Sequence, residues 1–195
     1  MWGYIEKLRG YLRVSGVSSA SRRYFVMNFF DGAMTMLGVT VGAFATGSVH
    51  PRTIIGAGLG ASLAMGISGF SGTYMAERAE RLRRYKKLRK AMLADLKRSM
   101  HSKAFRIASL WAAFVDGVSP ALAAAVSMIP FALALVGVIR VEHALVFSIL
   151  LIMAMIFGLG AFLGKISREN IFLSGFKMIL VGVVTALICL LLAAI

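Results

Sequence analysis

Asp31 and Asp116 each stand well inside a long apolar run. A carboxylate at mid-membrane depth costs about 2.5–3.5 kcal/mol on insertion scales, so each needs either a partner or a task. Both sit in the same local string, Phe29-Phe30-Asp31-Gly32 and Phe114-Val115-Asp116-Gly117, 85 residues apart. That echo is the kind of internal repeat from which membrane binding sites are built. The two copies would run parallel, because an even number of crossings separates them.

On a helix, Met27, Met34, Thr35 and Gly38 fall three, four or seven residues from Asp31 and share its face. A carboxylate with thioethers and a hydroxyl suits a borderline divalent cation such as Fe(II) better than Mg(II), which prefers oxygen alone. The next run offers a matching face, Met65, Gly69, Thr73 and Glu77, each four residues apart. The candidate metal ligands are therefore Asp31, Met34, Met65, Thr73 and Glu77, with Asp31, Thr35 and Asp116 along an ion or proton path. The plainer alternatives are methionine as core filler and Glu77 in a solvated helix-end ion pair with Arg78 or Arg81.

These residues need elements to hold them, and the composition says which. Of 195 residues, 59% are hydrophobic and 15% charged. Apolar runs cover about residues 24–47, 53–76, 106–139, 141–163 and 171–195, each long enough to cross a hydrocarbon core about 30 Å thick. The expected fold is an all-α integral membrane protein of five transmembrane helices, forming one membrane domain over residues 24–195. As a straight helix, the 34-residue third run would extend about 51 Å. Pro120 and Pro130 are its natural break points, which predicts one interrupted span. Glycine pairs Gly38/Gly42, Gly56/Gly60 and Gly160/Gly164 suggest close helix packing or a dimer seam.

Basic residues set the orientation. Five Lys/Arg precede residue 24, twelve lie between Arg78 and Arg106, and Lys165 and Arg168 follow the fourth run, whereas the loops of the opposite side hold Arg52 and Arg140. The N-terminus is expected in the cytoplasm and the C-terminus outside, with Lys177 snorkelling back to the inner surface. Residues 1–23 form an N-terminal cytoplasmic or interfacial segment, with Trp2, Ile5, Leu8 and Leu12 at helical spacing. Residues 77–105 read as a basic cytoplasmic helical insert striped by Leu82, Tyr85, Leu88, Met92 and Leu96, pinned to anionic headgroups. The net charge of +14 is thus assigned to lipid and orientation, with no nucleic-acid partner.

Enzyme chemistry finds no support. The Tyr-Asp and Gly-x-Gly-Asp strings of intramembrane aspartyl proteases are missing, since Gly158-Leu159-Gly160 is followed by Ala161. His50, His101 and His143 lie in loops without ligand spacing, there is no Gly-Lys-Ser/Thr phosphate loop, and Cys189 stands alone. No prosthetic group is expected.

The string Asn28-Phe29-Phe30-Asp31-Gly32-Ala33-Met34-Thr35-Met36-Leu37-Gly38 resembles the Asp-Gly opening of the vacuolar iron transporter family. Ala76-Glu77-Arg78-Ala79-Glu80-Arg81 sits where that family carries a charged cytoplasmic helix. Gly117-Val118-Ser119-Pro120 is similar to its Gly-x-x-Pro, and Ser174-Gly175-Phe176-Lys177-Met178 to the start of its fifth span. The resemblance implies a homodimer that moves Fe(II) or Mn(II) out of the cytoplasm in exchange for protons, with Asp31 as the pathway aspartate and the ion as cargo. It also implies departures. The family's Gly-Glu-Tyr aligns with Gly72-Thr73-Tyr74, and its upstream methionine falls at Gly69, so Glu77 and Met65, one turn away on the same face, would substitute. Residues 77–106 carry twelve basic residues against three acids, which argues against an acid-rich metal-collecting domain and for a short prokaryotic relative in the plasma membrane. The rival reading is a non-transporting membrane scaffold or lipid-binding protein, whose acids pair with Lys177 or backbone groups.

Overall fold

The computed structural model describes residues 17–92 and 100–193, and every element among them is helical. They are α1 (Val17–Ala45), α2 (Pro51–Met92), α3 (Met100–Leu135), α4 (Val141–Ser167) and α5 (Ile171–Ala193). Each is long and apolar enough to cross a membrane. The stripe from Trp2 to Leu12 and residues 93–99 of the basic insert lie outside the described residues.

Local chemistry sets the helix ends. α1 starts ahead of the apolar run, because the Ala and Arg residues before Tyr24 are good helix formers. It stops where Gly47 takes φ 68°, a left-handed conformation that costs glycine nothing. Pro51 opens α2, where its missing N–H would have had no helical partner. α4 ends on Arg168 at φ 58°, with the amide of Glu169 donating to the Gly164 carbonyl at 3.0 Å. The Asn170 side chain then caps α5, its Oδ1 accepting from the amides of Phe172 (3.1 Å) and Leu173 (3.3 Å).

Two features differ from the sequence reading or extend it. α2 runs unbroken for 42 residues, about 63 Å at 1.5 Å per residue. α3 is also continuous, carrying Pro120 and Pro130 inside it rather than being interrupted there. Hydroxyls lie beside both prolines. Ser119 Oγ donates to the Val115 carbonyl, Ser127 Oγ to the Ala123 carbonyl at 2.8 Å, and Ser148 Oγ of α4 to the Ser127 carbonyl at 2.8 Å.

The chain divides into two compact units. The first contains residues up to 28 and 66–119, and so takes the first part of α1, the later part of α2 and the first part of α3. Within it α2 and α3 touch backbone to backbone: a Cβ on Gly66 would stand 2.8 Å from the Gly117 carbonyl oxygen, and one on Gly117 2.8 Å from that of Gly66.

The second unit contains residues 29–65 and 120–195. Its core joins Met36, Leu37 and Val41 of α1, Ile54 of α2, Ala124 and Phe131 of α3, and Ile152 and Ile156 of α4. Here α1 presses on α3 through Gly32, where a Cβ would meet the Pro120 carbonyl oxygen at 2.6 Å. Of the three glycine pairs, Gly160/Gly164 makes the close approach: a Cβ at either would lie within 3 Å of Ser174 of α5. Gly42, Gly56 and Gly60 face open space.

Candidate functional site

In the first unit, three helices converge on one carboxylate. Asp116 of α3 is buried at 3% exposure. Its Oδ1 accepts a hydrogen bond from Asn28 Nδ2 of α1, and its Oδ2 accepts one from Thr73 Oγ1 of α2 at 2.7 Å. Both oxygens are thus met by neutral donors, which offsets part of the cost of burying the charge. Gly69, one turn before Thr73, makes the approach possible, because a Cβ there would lie 2.9 Å from Asp116 Oδ2. The Asn28 amide also reaches the Tyr24 carbonyl at 3.1 Å, tying the donor to its own helix.

A second polar group lies one turn before Asn28 on α1 and one turn after Thr73 on α2. The Tyr24 hydroxyl donates to Glu77 Oε1 at 3.0 Å, and Arg81 Nε donates to Glu77 Oε2 at 2.8 Å. The Glu77 and Arg81 side chains keep only 14% and 11% of their exposure. The ion pair foreseen for Glu77 therefore forms with Arg81, but sheltered rather than solvated. The Arg23 guanidinium lies 5.4 Å from the centre of the Tyr24 ring, a cation–π contact on the same phenol.

The second unit holds the remaining candidates. Thr35 Oγ1 donates to Met65 Sδ at 3.6 Å, which joins α1 to α2 through a hydroxyl and a thioether. Asp31, one helical turn before Thr35, is exposed and has no hydrogen-bond or ion-pair partner among the described residues. Met34 is partly buried against the hydrophobic core.

Sequence pattern set Thr35 on the Asp31 face of the first span and Met65, Thr73 and Glu77 on one face of the second, and it singled out Asp116; the Thr35–Met65 contact comes from the structure. The pattern missed Asn28 and Tyr24 as partners. The available signal was an amide in an otherwise apolar stretch, four residues after a tyrosine. Among the described residues no three His, Cys, Asp or Glu side chains gather as a metal cluster. Ion binding here would use mixed donors: carboxylate, hydroxyl, amide oxygen and thioether.

The sequence model of the VIT family matches residues 77–194, more than half of the chain. The chain belongs to the VIT family. Its similarity to an uncharacterized protein of Methanocaldococcus jannaschii agrees, with 36% identity over 171 residues, covering 86% of this chain and 85% of the relative. VIT-family proteins carry metal ions across membranes and are transporters rather than enzymes, so this chain is a multi-pass integral membrane protein of that class. The VIT match begins at Glu77 and takes in Arg81, Asp116 and both α3 prolines, while α1 with Asp31 precedes it.

Proposed function

We propose that this VIT-family chain exports Fe(II) or Mn(II) from the cytoplasm in exchange for protons, and that it works as a homodimer in a prokaryotic plasma membrane. The observation that carries the reading is Asp31, an exposed carboxylate inside a membrane-spanning helix. In lipid such a group is expensive. A dimer partner that covers it, or a cation that binds it, removes the expense, and the open glycines Gly56 and Gly60 leave room on α2 for a second copy.

Asp31 is the principal ligand and proton acceptor, assisted by Met34 and by Thr35 with Met65. An ionised carboxylate binds the metal and a protonated one releases it, so both fluxes run through one group. Asp116 with Thr73, and Glu77 beside them, form a second station in the first unit. The donor chemistry favours Fe(II) or Mn(II): thioethers add affinity for the softer of these ions, while the carboxylates and hydroxyls serve both.

The distribution of positive residues supports a cytoplasmic N-terminus and an external C-terminus. The exposed cations at the end of α2, among them Arg78, Arg83, Arg84, Lys86, Lys87 and Lys90, then face the inner leaflet and its anionic headgroups. Crystals soaked in Mn(II) test the assignment through anomalous scattering. A peak beside Asp31 is expected, and peaks confined to other residues would contradict it.

A further inference from the structure

Glu77 already has a cation. The Arg81 guanidinium donates to Glu77 Oε2 at 2.8 Å, with both side chains sheltered from solvent, and the Tyr24 hydroxyl occupies Oε1 at 3.0 Å. The arrangement differs from the neighbouring pair Arg84–Glu80, which has the same spacing at 3.1 Å but is largely exposed, at 72% and 51%. An exposed i,i+4 pair is worth little. A sheltered one neutralises a carboxylate that would otherwise be desolvated alone, and separating its members is costly.

We propose that Arg81 is a tethered competitor for the divalent cation at Glu77. This deepens the reading above and rests on its assignment of Glu77 as a metal ligand. In the metal-free protein the guanidinium holds the place of the ion. An incoming cation gains the Glu77 carboxylate only by displacing Arg81, and it must do so against the repulsion of that positive charge. Arg81 therefore lowers affinity and selects by charge. A monovalent ion gains too little from one carboxylate to displace a bidentate-capable guanidinium, whereas a divalent ion gains about twice the Coulomb energy at the same distance. The same competition helps release the metal, since the arginine returns to the carboxylate as the ion leaves. The Tyr24 hydroxyl stays on the other oxygen and holds the carboxylate in position throughout.

The test is Mn(II) binding to the full-length protein in detergent, read from the electron paramagnetic resonance signal of free Mn(II). Arg81→Gln should bind Mn(II) about tenfold more tightly than wild type, a change of about 1.4 kcal/mol. Arg81→Lys should show a smaller gain, because a single ammonium is a weaker competitor for the carboxylate. The gain should vanish when Arg81→Gln is combined with Glu77→Gln. A merely structural arginine predicts equal or weaker binding in both single variants, and that result would overturn the inference. Arg81→Lys keeps the charge that Glu77 needs, so it decides the matter if the neutral variant misfolds. Failure of the parent reading looks different: no variant binds Mn(II), or Asp31→Asn leaves binding unchanged.

Discussion

Gly32 of α1 lies against Pro120 of α3 so closely that a methyl group on residue 32 would stand 2.6 Å from the Pro120 carbonyl oxygen and 2.7 Å from its Cα. The obstacle is backbone, which cannot rotate away as a side chain tip can. Gly32→Ala should therefore destabilise the protein by about 1–3 kcal/mol, the usual cost of overpacking. Gly42→Ala, with nothing within 4 Å of its added Cβ, should be neutral or stabilising. Thermal unfolding in one detergent compares the two, and equal melting temperatures would contradict the packing described.

Thr73 offers a second test of packing, through a hydrogen bond. Thr73→Val keeps the shape but leaves Asp116 Oδ2 without the donor now at 2.7 Å. Stability should fall by about 1–3 kcal/mol, the cost of a buried acceptor deprived of its partner. Thr73→Ser restores the hydroxyl and should recover most of the loss in chemical unfolding; if valine and serine behave alike, the bond contributes nothing.

How much of this was legible in the sequence depends on distance along the chain. Five spans follow from runs of apolar residues, a property of neighbours, and the long helical continuation beyond the second span follows from a stretch free of glycine and proline. The repeated Phe-x-Asp-Gly string was visible too, yet its two copies behave alike only in part. Gly32 and Gly117 both allow close backbone contact, whereas Asp116 is buried under two donors and Asp31 is exposed. Local sequence does not foretell that difference, since the polar neighbours Asn28 and Thr35 stand beside Asp31, the exposed carboxylate. The difference comes from Asn28, 88 residues from Asp116, and from Thr73, 43 residues away. Likewise Pro120 reads locally as a helix break, yet it lies buried inside a continuous α3.

Orientation can be measured directly. In a Cys189→Ser background, His50→Cys should react with an impermeant thiol reagent added outside intact cells, and Lys90→Cys only after the cytoplasmic face is opened. The reverse pattern would invert the proposed topology and with it the direction of transport.

The basic face of α2 should respond to lipid charge. Replacing the exposed Arg83, Lys86, Lys87 and Lys90 by Gln removes attraction worth about 1 kcal/mol for each cation close to an anionic surface. Wild type should gain thermal stability when phosphatidylglycerol is added to its micelles, and the variant should gain little. Equal gains would detach the basic face from any headgroup role.

The central claim rests on Asp31, whose carboxylate is exposed within α1 and has no partner among the described residues. Asp31→Asn preserves volume and most hydrogen-bonding capacity while removing the charge. Folding should survive, because no paired cation is stranded, and the loss of an intramembrane charge removes a cost of a few kcal/mol. Metal flux should not survive. The most direct measurement is Fe(II) or Mn(II) uptake into proteoliposomes under an imposed proton gradient, with thermal unfolding recorded on the same preparations. The Asn variant should melt at or above the wild-type temperature and transport at background; wild-type flux in that variant would contradict the assignment of Asp31.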